Sequence, residues 1–259
     1  MSIWIDPPMW PAHDRLWSHV ISDTSLEELH EFARTVGLPA RSFEGDHYDV
    51  PQERYADLVA AGATRTGATD LARRLRASGL RFRKRKGERP LARVVDGLSA
   101  VHGAHVLDVV ASPHEPPADA GAAVVLVRAG DGSLLLVRSV GRSGWAPPGG
   151  KAETGESVRE TAVREVHEET GLSLDPAVLR PVGYERITIR AGEETGPWRA
   201  GDNHIGVFGT HLEDRPPVAP VEDDVDAAEW ATVAQARRRC GDQPWWLLVE
   251  GWLDHGFPR

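Results

Sequence analysis

The chain has 259 residues, 41% hydrophobic and 27% charged, which is comfortable for two domains of an ordinary soluble protein. Its formal charge of −9 argues against a general nucleic-acid binder, and no run of about 18 apolar residues is present to cross a membrane. The opening, MSIWIDPPMWPAHDR, has no basic segment followed by an apolar stretch, so no signal peptide is expected; Cys240 stands alone, which rules out an intrachain disulfide and makes the cytoplasm the expected compartment.

In chain order, Ser2–Ile5 reads as a short strand. Leu26, Leu29, Phe32, Ala33 and Val36 fall at helical spacing within Ser25–Gly37, and Gly37 is placed to end that helix. Ala40–Phe43 is a candidate second strand, and Gln52–Ala61 and Thr69–Ser78 read as helices, the latter with Thr69 or Asp70 as its cap. Lys84–Arg89 (KRKGER) and the Pro-, Ala- and acid-rich Ala111–Gly121 punctuate the middle of the chain. They suggest an N-terminal domain over 1–90, a connecting segment over 91–118 and a second domain over 119–259. In that second domain the valine-rich Ala122–Arg128, the GDG turn at 130–132 and Ser133–Arg138 predict a hairpin. Arg186–Arg190 and Ile205–Thr210 are further strands, and Val233–Arg239 and Trp245–Leu253 are helices. Strands and helices without strict alternation predict a mixed sheet between helix layers.

The chemistry is concentrated in residues 150–172, GKAETGESVRETAVREVHEETGL. Ser157 with Glu160 matches a capping box, and Gly171 suits a helical C-terminus. At about 100° per residue, Glu165, Glu168 and Glu169 span an arc of about 100°, so three carboxylates share one face. Glu165 and Glu169 also border the apolar stripe of Val158, Ala162 and Val166. Like charges four residues apart cost a few tenths of a kcal/mol in a bare helix. A hard cation resolves that conflict, because Mg²⁺ takes oxygen ligands from carboxylates together with substrate phosphates.

Gly150, Glu156, Arg164–Glu165, Glu168–Glu169 and Gly171 fit G-x5-E-x7-R-E-U-x-E-E-x-G-U without departure, with Val166 and Leu172 in the aliphatic slots. Seven fixed residues of ordinary abundance coincide roughly once in 10⁸ windows. The segment resembles the signature of the Nudix hydrolase family. The resemblance covers about residues 119–240 and implies an α/β/α sandwich, here preceded by a small N-terminal α/β domain. It implies that Glu165, Glu168 and Glu169, with Gly150 beside them, hold Mg²⁺ (or Mn²⁺ in its place), and that Arg164 pairs with Glu156 or Glu168. Gly149 and Gly150 would form a tight loop where backbone approaches metal and phosphate. The implied reaction is attack of water on phosphorus in a nucleoside-diphosphate-linked substrate. The general base is a box glutamate or an acid of Val221–Asp226 (VEDDVD), with Glu222 the chosen candidate beside Asp223 and Asp224.

Substrate marks are sparse. LLLVRSVGRSGWAPPGG has a partial likeness to coenzyme A hydrolases, and no proline stands between Pro181 and Pro197 where the ADP-ribose subfamily expects one. A generic nucleoside-triphosphate scaffold remains. Trp145 and Trp198 are candidates to stack a base, worth about 1–3 kcal/mol, with ordinary packing as the alternative. His204 and His211 flank a strand and read as structural. A homodimer stays open, through the tail WWLLVEGW.

The pieces W-SH-ISD and EGDHYDVP, with the helix between them, resemble the bacterial domain-of-unknown-function family 4031 over about residues 1–85. That family name implies no activity. Asp6, His13, His19, Asp23, Asp46, His47 and Asp49 form a dense set suited to a transition metal or to acid–base work, with local hydrogen bonding as the alternative. Residues 73–93 hold ten basic side chains against the single acid Glu88. This leaves two alternatives beside the hydrolase: an RNA 5′-end pyrophosphohydrolase using that segment, and a nucleotide-sensing module that does not cleave.

Overall fold

The computed structural model describes residues 2–39, 42–99, 101–141 and 144–258. The chain divides into two compact units, Met1–Arg85 and Lys86–Arg259.

The first unit is built on alternation. Ile3 and Ile5 of β1 (Ile3–Ile5) are buried and pair antiparallel with β3 (Arg15–Ser22), which carries Val20 and Ile21 into the interior. β2 (Trp10–Ala12) joins β3 through His13 and Asp14, both at positive φ (50° and 57°), the geometry of a two-residue hairpin turn. His13 therefore serves a turn. β4 (Tyr48–Pro51) pairs with β3, and β5 (Thr64–Arg65) runs parallel to β1. The helix expected from Ser25 is α1 (Leu26–Thr35); the Ser25 hydroxyl accepts from Glu28 N, and Leu26, Leu29, Phe32 and Ala33 are its buried stripe. The segment Gln52–Ala61 divides into a 3₁₀ turn at Gln52–Arg54 and α2 (Tyr55–Ala60). α3 (Ala68–Ala77) starts from Gly67 rather than from Thr69 or Asp70. Of the strand expected at Ala40–Phe43, residues 40 and 41 lie outside the described residues, and Phe43 makes an isolated bridge to Tyr48.

The segment 91–118, expected to connect two domains, is built into the second unit. β6 (Arg89–Val95) and β7 (His105–Ala111) pair antiparallel and extend its sheet. Leu107, Val109 and Val110 are buried. A buried carboxylate lies between two arginines in this part of the sheet. Asp108, 1% exposed, accepts from Arg93 (Nε to Oδ1 2.6 Å) on one side and Arg186 (Nη2 to Oδ2 2.6 Å) on the other.

Eight strands of this unit form one mixed sheet among the described residues. The order is β13 (Val225–Ala231), β9 (Leu134–Ser139), β8 (Ala122–Arg128), β12 (Gly201–His211), β11 (Arg180–Ile189), β7, β6, with β10 (Gly149–Lys151) also paired to β8. β8 and β12 are parallel; the other pairs are antiparallel. Ala123, Val125, Val127 and Phe208 pack under Val158, Ala162 and Val166 of α4 (Val158–Thr170). The opposite face, with Leu107, Val109, Leu126 and Val207, is covered by α5 (Val233–Cys240) and α6 (Trp246–His255) through Ala236, Leu248, Val249 and Trp252. Each such large side chain contributes about 1.5–3 kcal/mol on burial. This is the expected α/β/α sandwich. The expected hairpin of β8 and β9 pairs only at Arg128–Leu134; β9 turns to β13, and β10 takes the place beside β8.

One carboxylate sits in the apolar layer. Glu185 of β11 is 4% exposed, between Val109 and Ile205 on the neighbouring strands, and its buried Oε1 has no partner. Burial pushes its carboxyl up from 4.5 to about 7. The folded protein therefore keeps a proton that the unfolded chain has lost, and stability falls as pH rises from 4.5 toward 7. Glu185→Gln is expected to flatten this slope, with a gain on the order of 3 kcal/mol at pH 8 relative to the parent. Urea unfolding at pH 5 and pH 8 tests it; equal pH slopes for the two proteins would refute it.

Candidate active site

The local sequence fixes α4 at both ends. The Ser157 hydroxyl accepts from Glu160 N, the Glu160 carboxylate accepts from Ser157 N at 2.8 Å, and Gly171 stops the helix at φ 74°. Buried Val158, Ala162 and Val166 then set the rotation, which places Glu165, Glu168 and Glu169 beside β10. Glu169 is 7% exposed, and its Oε2 accepts the Gly149 amide at 2.8 Å.

Both glycines of β10 are required by close approach rather than by a tight loop. A Cβ on Gly149 would stand 2.3 Å from the carbonyl oxygen of Ala123, and one on Gly150 would stand 2.5 Å from the carboxylate of Glu165. Glu165 thus lies in a cradle that any other residue at position 150 would fill.

Arg164 binds its neighbours with all three guanidinium nitrogens. Its Nε donates to Glu156 Oε1 (2.7 Å), Nη1 to Glu165 Oε1 (2.9 Å) and Glu168 Oε2 (2.7 Å), and Nη2 to Glu156 Oε2 (3.0 Å) and the Lys151 carbonyl (2.8 Å). It pairs with Glu156 and Glu168 together, and with Glu165 as well. The bidentate contact explains two shifts. Arg164, with the amide of Glu153 next, holds Glu156 down to about 2, and Glu156 first among the carboxylates drives Arg164 above its usual range. Glu165 moves the other way: burial raises its carboxyl, Arg164 offsets part of that, and Glu168 and Asp224 add to it.

The acidic loop reaches this site through its backbone. The amides of Val221 and Glu222 donate to the Glu168 carbonyl at 2.8 and 3.3 Å, and the Val140 amide donates to the Asp224 carbonyl at 2.8 Å. Glu222 itself is exposed. Asp224 is the member of the loop whose charge bears on Glu165, and nothing in the run VEDDVD distinguished it from its neighbours. The structure therefore brings together Gly149, Gly150, Glu156, Arg164, Glu165, Glu168 and Glu169, with Glu222 anchored alongside. Trp145 does not join them. It packs against the α5–α6 layer, with the guanidiniums of Arg138 and Arg239 at 5.5 and 4.6 Å from its ring centre. Trp198 packs against the same hydrophobic cluster. His211 stacks on Trp252 at 4.9 Å, and His204 meets Tyr184 edge-on at 5.7 Å.

The NUDIX domain model matches residues 118–247, half of the chain, and spans every residue of this cluster. The chain belongs to the NUDIX family. Outside the NUDIX domain, the model of DUF4031, a protein family of unknown function, matches residues 3–78. Two curated Bacillus subtilis proteins are similar to this NUDIX chain. The "Uncharacterized Nudix hydrolase YvcI" is 50% identical over 52 residues, which is 20% of this chain and 33% of that protein. The "Putative ADP-ribose pyrophosphatase YjhB" is 32% identical over 106 residues, 35% of this chain and 50% of that protein. The chain thus spans between a third and a half of the length of these relatives. Among solved structures, the Bacillus subtilis pyrophosphohydrolase BsRppH aligns at 18% identity and a TM-score of 0.44, over 60% of this chain and 94% of its own. No described helix is long and apolar enough to cross a membrane.

Proposed function

We propose that this protein is a Mg²⁺-dependent hydrolase of the pyrophosphate bond in a nucleoside-diphosphate-linked substrate. The observation that carries the reading is the gathering of Glu165, Glu168 and Glu169 on one face of α4 against the side-chain-free backbone of Gly149–Gly150. The donor chemistry of that set suits a hard dication. Its donors are carboxylate oxygens, and the space a Cβ at position 150 would take is left to the Glu165 carboxylate. Glu165, Glu168 and Glu169 would hold the ion, with the Gly150 backbone at its side and Mn²⁺ as a substitute. Bound there, Mg²⁺ supplies Lewis-acid polarisation of phosphoryl oxygen and a more acidic water.

The chain's own residues supply the rest. Arg164 keeps Glu156, Glu165 and Glu168 in one arrangement. Water oxygen bonds to phosphorus, the bridging P–O bond breaks, and the water proton passes to a carboxylate, for which Glu222 and Asp224 on the anchored loop are the candidates. The products are a nucleoside monophosphate and a second phosphorylated fragment, or pyrophosphate. The names of the curated relatives, a Nudix hydrolase and a putative ADP-ribose pyrophosphatase, support this reaction class. The RNA-directed alternative is not favoured by the basic run, which divides between the two units. Its Arg74, Lys84 and Arg93 are engaged by Asp23, Glu44 and Asp108.

The deciding experiment incubates the full chain and Mg²⁺ with nucleoside triphosphates, dinucleoside polyphosphates, ADP-ribose, nucleotide sugars and 5′-triphosphorylated RNA, and resolves products by ³¹P NMR. Cleavage of a small nucleotide substrate, lost with EDTA and restored by Mg²⁺, is expected. Tight nucleotide binding without cleavage under Mg²⁺ or Mn²⁺ would replace the enzyme with a sensing module.

A further inference from the structure

The N-terminal unit contains a second polar cluster that the hydrolase reaction does not use. His19 on β3 and Asp49 on β4 are direct cross-strand partners, and His47 stands two residues before Asp49, so the three side chains share one face. Nε2 of His47 and Nε2 of His19 lie 3.5 and 3.8 Å from Asp49 Oδ1. One ligand atom from each of the three residues lies within 4.8 Å of the others. The far nitrogen of each imidazole is held by a buried carboxylate. His47 Nδ1 is 2.5 Å from Asp46 Oδ1, and His19 Nδ1 is 3.1 Å from Asp6 Oδ2. Asp46 and Asp6 are 2% and 1% exposed, and both are fixed in turn. Asp46 Oδ2 accepts the Phe82 amide at 2.6 Å, while Asp6 accepts the His19 amide at 2.5 Å and the Trp10 indole N–H at 2.9 Å.

We propose that His19 Nε2, His47 Nε2 and Asp49 Oδ1 form a binding site for a first-row transition-metal dication, Zn²⁺ being the ion that fits best, with Asp6 and Asp46 as positioning residues. A carboxylate behind each imidazole fixes its tautomer and turns Nε2 toward the shared point, the arrangement that metal-ligating histidines use. Two imidazole nitrogens and one carboxylate oxygen suit Zn²⁺ and its neighbours and do not suit Mg²⁺, which takes oxygen. Tetrahedral ligands at about 2.0–2.1 Å stand about 3.3 Å apart, so the observed separations close onto an ion with side-chain shifts of under about 1 Å. His13 and Asp23 of the same sequence set stand apart, one in the β2–β3 turn and the other on Arg74.

The test loads the full chain with Zn²⁺, passes it over a chelating resin and measures metal by mass spectrometry. Competition with a chromogenic chelator then gives affinity. One retained Zn²⁺ is expected, with a loss of at least about 100-fold in affinity for His19→Ala and Asp49→Asn and of about 10–100-fold for Asp6→Asn. Retention should survive Glu169→Gln, which separates this site from the carboxylates of α4. X-ray absorption of the Zn²⁺-loaded parent, independent of any variant's folding, should show two imidazole ligands. An unchanged affinity in His19→Ala, or a metal shell without imidazole, or no retained metal in the parent, each overturns the site.

Discussion

Glu169→Gln is expected to lower kcat for Mg²⁺-dependent hydrolysis by about 10³-fold, close to 4 kcal/mol of transition-state stabilisation, while leaving the fold intact. The two side chains have the same shape, and the glutamine oxygen still accepts the Gly149 amide that Glu169 Oε2 holds at 2.8 Å. What is removed is one negative charge at a position 7% exposed, where little water is present to screen it. Alanine at the same position removes the hydrogen bond to β10 as well, so it cannot separate charge from structure. Steady-state kinetics with the substrate found by the nucleotide screen, beside a thermal melt, measure both effects. Activity within tenfold of the parent, in a variant that melts at the same temperature, would remove Glu169 from the site.

The second large effect concerns stability. Asp108→Ala is expected to cost about 3–5 kcal/mol, because it removes the buried anion that stands between two cations of the sheet. Arg93 and Arg186 are 14% and 10% exposed, and Asp108 accepts from both, with Arg186 Nε adding a contact at 3.0 Å. Chemical unfolding followed by the tryptophans should show the midpoint falling without a change in slope. A triple change of Arg93→Met, Asp108→Leu and Arg186→Met should restore most of the loss, since an apolar set of similar volume avoids desolvating charges. A loss below about 1 kcal/mol for Asp108→Ala would mean that water reaches this triad.

The contrast between α4 and β7 shows what was legible in the sequence. In α4 every local device agrees: the Ser157–Glu160 box, the Val158–Ala162–Val166 stripe, the Gly171 stop and the carboxylate spacing. β6 and β7 were hidden because their inward positions carry Arg93 and Asp108, and each looks like a surface charge until its partner is known. β3, RLWSHVIS, was hidden for a related reason, since Ser18 and Ser22 are buried polar residues that interrupt an apolar alternation. The His47-x-Asp49 pair has the two-residue spacing of one face of a strand, which becomes visible only when Tyr48–Pro51 is known to be extended. The β8–β9 hairpin was legible at its GDG turn, but the later insertion of β10 beside β8 is a long-range pairing that no local window contains.

The placement of β6 and β7 also decides how the catalytic half can be separated from the rest. A chain cut at the limits of the NUDIX match, 118–247, would lack both strands and nearly all of α6. Along β11, from Gly183 to Ile189, the backbone groups that pair with β7 would be left open. That is a long, flat template for strand addition by another copy, with the apolar bed of Trp252 and Leu248 uncovered on the adjoining face. Such a fragment should collect in inclusion bodies, whereas one beginning at Lys86 and extending past His255 retains its own edge strand and its own lid of helices.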